Sequence, residues 1–139
     1  MSRIKANSAK LKATHCHCKS GTSFELCCGP ALSGTHPAKT AEALMRSRYT
    51  AFCLHDQDYL LKTWHPSTRP KDLNFEAEQQ WLGLKIVTKN DGAEEDYQGQ
   101  VEFVARYKIN GRAYRIHENS DFLWQEGHWY YTQGTLFGE

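Results

Sequence analysis

No stretch of this sequence approaches the roughly 18 consecutive apolar residues that a membrane span requires. Its first 15 residues hold lysines and small polar residues but no apolar leader core. These two absences predict a cytoplasmic protein. No internal repeat or low-complexity tract is present. Phosphate-binding loop, dinucleotide fingerprint and serine-hydrolase elbow are likewise missing. What remains is ordinary globular composition, 40% hydrophobic and 24% charged over 139 residues, enough for one core and a small appendage.

Against this background the cysteines stand out. Four of the five, Cys16, Cys18, Cys27 and Cys28, fall within 13 residues, and Cys53 is left over. In a reducing compartment clustered thiols ligate metal or do chemistry. A disulfide between the adjacent Cys27 and Cys28 would close a strained ring. Zinc prefers four soft donors in a tetrahedron with Zn–S near 2.3 Å, so it needs two chelating pairs folded together. Cys16 and Cys18, two apart in extended chain, project to one side. Ser20 and Gly21 supply the bend, and Gly29-Pro30 closes the unit. His15 and His17 alternate with the cysteines, but four thiolates already complete the shell. The sequence therefore predicts one structural Zn2+ per chain with no open position for catalysis.

Three zones follow along the chain. Residues 1–14 form a basic arm and residues 15–30 the cysteine knuckle; a Ser-, Gly- and Pro-containing linker leads to a body from residue 37 onward. We divide the chain at 1–36 and 37–139. The net charge of +1 is uneven: residues 1–28 carry Arg3, Lys5, Lys10, Lys12 and Lys19 against Glu25 alone, a formal +4, and the rest is formally −3. A basic head suits phosphates or acidic protein surfaces, and a solvated, partly disordered tail is the alternative reading. Four thiolates on one Zn2+ leave about −2, so the flanking lysines also neutralise the site.

The body opens with helical periodicity. Ala41, Leu44, Met45, Tyr49 and Phe52 share a face that also carries Arg48, and Thr40 with Glu42 marks the start. A shorter helix is predicted from Asp56 to the stop at Pro66, followed by a helical turn over residues 75–81. The period then changes to 2. Leu82, Leu84 and Ile86 alternate with Gly83, Lys85 and Val87, and Val101, Phe103, Ala105, Tyr107 and Ile109 form a second half-buried strand. Asn110-Gly111 predicts a hairpin into a strand over residues 112–124, and Glu126-Gly127 turns that into one more. Helices followed by an antiparallel meander describe an α+β domain with helices on one sheet face.

Two segments carry a family resemblance. Residues 16–30 (CHCKSGTSFELCCGP) are similar to the SEC-C motif, a zinc-binding segment found in the bacterial secretion motor ATPase, with all four ligand positions matched, as are Ser20, Gly21 and Phe24. The body resembles the YchJ-type proteins through residues 40–52 (TAEALMRSRYTAF), residues 58–60 (DYL), residues 63–70 (TWHPSTRP) and His117-Glu118. That resemblance implies a zinc knuckle followed by a cone-shaped, nuclear-transport-factor-two-like (NTF2-like) curved antiparallel sheet packed against helices. It implies no assigned activity; the motor ATPase docks its own SEC-C segment on a chaperone and on acidic or ribosomal surfaces.

Within the body, Tyr114, Ile116, Glu118, Ser120, Phe122 and Trp124 share one strand face, and a carboxylate on an apolar face is an anomaly. Glu118 is expected to meet Arg48, either as a buried pair fixing helix to sheet or in an acid–base site. His117 points to the opposite face. Trp64-His65 at a helix end is a further candidate, and Arg46, Arg48 and Arg69 would bind an anion if they converged. The pocket candidates are thus Arg48, Tyr49, Trp64, His65, Glu118 and Ser120. The leading expectation is a non-enzymatic interaction module that docks its basic zinc knuckle on protein or ribosomal surfaces. The alternative is a small-molecule binder or enzyme using a pocket in the cone.

Overall fold

The computed structural model describes residues 15–137, so the basic arm at 1–14 lies outside the described residues. The knuckle starts as a tiny hairpin in which His15 bridges Ser23 and Cys16 N donates to Thr22 O at 2.9 Å. Lys19 (φ 66°) and Gly21 (φ 89°) make its bend, one residue earlier than Ser20-Gly21 alone implies. A 3-10 turn over Phe24–Leu26 and helix α1 (Gly29–Ser33) follow. Residues 31–33, expected as linker, are thus helical, with Pro30 in the first turn where its missing N–H costs nothing.

Helix α2 (Ala41–Leu54) is capped as its sequence predicts: Ala43 N donates to Thr40 Oγ1 at 3.0 Å. It buries Ala41, Leu44, Met45, Arg48 and Tyr49 on one face. Its start is docked by Ala41 N donating to Gly92 O at 2.9 Å. A Cβ at Gly92 (φ 84°) would sit 2.7 Å from Ala41 Cβ, so only glycine allows this approach. Replacing Thr40 with alanine is expected to cost about 1 kcal/mol of stability, read from urea unfolding. Helix α3 (Gln57–Lys62) is capped by Asp56, which accepts from Tyr59 N at 3.1 Å.

The sheet is a four-stranded antiparallel meander in the order β1 (Gln79–Asp91), β2 (Gln98–Ile109), β3 (Arg112–Gln125), β4 (His128–Leu136). Both tight turns have positive φ at both residues, Asn110 (52°) with Gly111 (81°) and Glu126 (52°) with Gly127 (86°), matching right-handed strand twist. Two expectations are corrected here. The helical turn over residues 75–81 is absent: Gln79 already pairs with Ile109, because β2 offers a ladder that outweighs a short helix with no cap. The inward set on β1 is also displaced. A bulge between Trp81 and Gly83 puts Trp81 inside with Leu84 and Ile86, and leaves Leu82 38% exposed.

One core runs through knuckle and body. Cys16, Cys18, Cys28 and Ala31 belong to the same buried cluster as Leu44, Leu60, Val101 and Trp129. No helix among the described residues is long and apolar enough to cross a membrane.

Candidate metal centre and cone pocket

The four sulfurs of Cys16, Cys18, Cys27 and Cys28 all lie within 4.8 Å of one another. Four ligands at about 2.3 Å from one tetrahedral ion have sulfurs just under 4 Å apart, so these residues fit a common centre. Cys16, Cys18 and Cys28 are buried and Cys27 is half-buried. The hairpin presents the first pair, and the step from the 3-10 turn into α1 presents the second. Gly29 is required here, since its Cβ would stand 2.8 Å from Phe24 O and 3.2 Å from the Phe24 ring. That contact explains the aromatic at position 24.

Three of these thiols differ in acidity. Cys16 accepts from Cys18 and Cys28 and its pKa is held low, which leaves Cys28 raised as the donor. Burial pushes the Cys27 thiol up to about 11. A closed set of four soft donors that resists holding several unbalanced thiolates is the chemistry of a site for a soft divalent ion. Outer contacts hold the frame. Arg46 Nη1 donates to Cys18 O at 2.9 Å, its Nε pairs with Glu42 at 2.9 Å, and Glu42 pairs with Lys89 on β1 at 2.9 Å. Thr50 Oγ1 lies 3.6 Å from Cys16 Sγ. Arg46 was a candidate anion ligand; these partners send it to the knuckle instead. Cys53 is outside the cluster, its thiol raised to about 11 by burial.

The second site is a cavity of about 250 Å³ between α2 and the inner sheet face. Of the six residues proposed from sequence, Arg48, Tyr49, Trp64, Glu118 and Ser120 line it. His65 does not. Its Nδ1 accepts from Ser67 N at 3.1 Å and its Nε2 donates to Gln125 Oε1 at 2.7 Å, which turns the ring to the outside against Tyr130. The reason is a short parallel pairing of residue 64 with Tyr131: His65 N donates to Tyr131 O and Tyr131 N to Thr63 O, both at 2.8 Å. Neighbours in an extended segment face opposite ways, so Trp64 enters the cavity and His65 leaves it.

Arg48 is only 4% exposed, yet no carboxylate among the described residues pairs with it. The expected Arg48–Glu118 ion pair is therefore not formed. Nη1 instead donates to Leu60 O and Thr63 Oγ1, both at 2.8 Å. The guanidinium lies over the Trp64 and Tyr131 rings, 4.9 and 4.6 Å from their centroids, where the ring faces take the place of a counter-ion. Burial lowers its pKa to about 10, so it stays charged at neutral pH. Nε and Nη2 donate to no protein atom among the described residues. The indole N–H of Trp64 is buried with no partner among the described residues. Arg69 turns away, donating to Trp64 O at 2.9 Å, so Arg46, Arg48 and Arg69 do not converge.

On the opposite wall Glu118 Oε2 accepts from Ser120 Oγ at 3.0 Å and Tyr131 Oη at 3.4 Å. Sequence reasoning missed what makes room for it. Gly134 on β4 faces Ser120 next to Glu118, and a Cβ there would collide with the carboxylate. A glycine inside a strand is the available signal of such an approach. Gly134→Ala is expected to push the Glu118 carboxylate aside while shifting the melting temperature, read from thermal unfolding, by only a few degrees. His117 faces outward as expected, 2.6 Å from Glu102.

A family profile described as "YchJ, middle NTF2-like domain" matches residues 40–134. A UPF0225 protein of Chromobacterium violaceum is 47% identical over 133 residues, covering 93% of this chain and 98% of its own. One from Polaromonas naphthalenivorans is 47% identical over 139 residues, with 97% and 94% covered. The fold superposes on the solution structure of a SEC-C motif containing protein from Rhodopseudomonas palustris with a TM-score of 0.77, at 35% identity over 88% of this chain and 98% of that one. A SEC-C motif containing protein from Psychrobacter arcticus, solved by crystallography, gives a TM-score of 0.68 at 27% identity, with 91% and 83% covered. With cysteine cluster, element order and these matches in agreement, the chain belongs to the YchJ (UPF0225) family, a SEC-C cysteine segment joined to an NTF2-like domain.

Proposed function

We propose that this protein is a cytoplasmic small-molecule binder whose NTF2-like cavity takes a planar ligand, and that the SEC-C cysteines hold a structural zinc ion that braces it. The observation that carries the reading is the unused donor set in the cavity: Arg48 Nε and Nη2 together with the orphaned Trp64 indole N–H. A buried donor without a partner, as the Trp64 N–H is, costs roughly 1–3 kcal/mol, and a ligand acceptor would recover that. The walls from Tyr49, Phe52, Trp64, Trp81 and Tyr131 suit a flat ring. A cavity of about 150 Å³ holds benzene, so 250 Å³ suits one substituted ring or a small bicycle.

The polar groups narrow the chemistry. Arg48 and Glu118 carry opposite charges on the same cavity, so a neutral ligand with an acceptor beside a donor, an amide-type edge, satisfies both. Titration calorimetry with benzamide, benzoate and toluene tests this, with benzamide expected to bind tightest and Ala105→Phe, which fills the cavity, to abolish it. Equal binding of all three probes, or binding retained by the filled variant, would remove the basis of the reading.

For the ion, four thiolates with no open position favour zinc in a structural role. Elemental analysis of protein purified without added metal is expected to give about one zinc per chain. Iron in its place, or no metal, would reverse the assignment. Docking through the knuckle is favoured by one feature, Leu26, which is 80% exposed beside Cys27. The arm lysines Lys5, Lys10 and Lys12 lie outside the described residues, so the cavity is the firmer ground.

A further inference from the structure

The outer face of the sheet carries a cation cluster that neither the knuckle nor the cavity uses. Residues 103–117 contain Arg106, Lys108, Arg112 and Arg115 and no carboxylate. Folding into the β2–β3 hairpin sets Arg106 directly opposite Arg115. Gly83 of β1 is the other neighbour of Arg106, and Lys85 sits two residues along, opposite Val104. The knuckle adds Lys19 to the patch, its Cε coming within 3.9 Å of where a Gly83 Cβ would stand. Lys19, Lys85, Arg106, Lys108 and Arg115 are all exposed, and none joins an ion pair among the described residues. The nearest acid on that face, Glu102, is taken up by His117 at 2.6 Å and Thr88 at 3.3 Å.

Like charges directly opposite on neighbouring strands are destabilising. The repulsion is concentrated in a body whose formal charge is −3, so the face is cationic against the protein's own balance. An anionic partner relieves it. The groove here is walled by Leu82, Val87 and Val104 and has no aromatic residue. Base stacking is therefore unavailable and recognition falls to the phosphates, which guanidiniums engage in a bidentate manner. A flat strand face has nothing to insert into the major groove of B-form DNA, whereas RNA helices offer a wide, shallow minor groove flanked by backbone.

We propose that this outer face binds the phosphate backbone of RNA, without sequence preference, through Arg106, Arg115, Lys85 and Lys19. The site is separate from the cavity and does not depend on what the cavity binds.

Fluorescence anisotropy of the full chain with a labelled 20-base-pair RNA duplex, across a salt series, tests it. The expected result is salt-sensitive binding that falls at least tenfold at low salt in the triple variant Lys85→Gln, Arg106→Gln, Arg115→Gln. The slope of log K against log salt should fall by about 2 to 3 in the variant. Because the substitutions remove a repulsion, the variant should melt no lower than the parent; Arg106→Gln alone, with a smaller loss, covers the case in which it does. Equal binding by parent and triple variant, no binding at low salt, a DNA duplex of the same length binding as tightly, or polyglutamate displacing the RNA at equal charge would each overturn the proposal.

Discussion

Replacing Arg48 with methionine is expected to leave the protein as stable as the parent, or more stable, and to abolish benzamide binding. The reason is the unusual position of this cation. It is 4% exposed and has two hydrogen bonds from one nitrogen, two aromatic faces and, among the described residues, no carboxylate partner. Taking a charge out of water costs several kcal/mol, and replacement of buried ions by apolar side chains of similar volume is commonly neutral or stabilising by about 1–4 kcal/mol. Arg48→Ala differs because it leaves a void, with an expected loss of about 2–5 kcal/mol. Urea unfolding and titration calorimetry on the two variants separate the effects. If methionine itself destabilised the fold by more than about 3 kcal/mol, Arg48 would be a structural strut and the ligand-binding reading would lose its main support.

Removing the metal should have the larger effect. Binding of structural zinc to four thiolates is worth about 10–16 kcal/mol at neutral pH, and in small knuckles that is folding free energy. Chelation, or Cys28→Ser, is therefore expected to unfold residues 15–30, seen as loss of hydrogen-exchange protection there. The body is expected to remain folded with a lower melting temperature, because Cys16, Cys18, Cys28 and Ala31 are part of its core. The pH dependence follows from the thiols. A bound ion would displace protons, including that of Cys27, whose thiol burial raises to about 11. Acid therefore favours release, and metal retention should fall as pH drops below neutrality. Protection of residues 15–30 that survives complete metal removal would refute the structural role.

Much of the fold was legible because its signals are local. The Thr40 cap, the Asp56 cap and the two glycine turns depend on groups within four residues of one another, and each forms where the sequence puts it. The alternation on β3 also held, so Ile116, Glu118 and Ser120 reach the cavity together. Expectations failed where a distant strand decides. The segment at 75–81 has enough helical character to suggest a turn, yet β2 captures Gln79 and Trp81. The bulge that turns Leu82 outward is a property of the β1–β2 ladder, and nothing in the period-2 pattern announces it.

The sites divide in the same way. The sequence alone singled out the four thiols that come within reach of one ion, since two close-spaced pairs and a bend bring their sulfurs together. It also placed Arg48 and Glu118 on inward faces. Only the tertiary structure decided that those two do not pair, that His65 turns away from Trp64, and that Arg106 meets Arg115 on a face shared with Lys19. Pairings of that kind depend on which strands and loops become neighbours across many residues of chain. Local periodicity tells which side a residue faces; long-range register sets what it meets there.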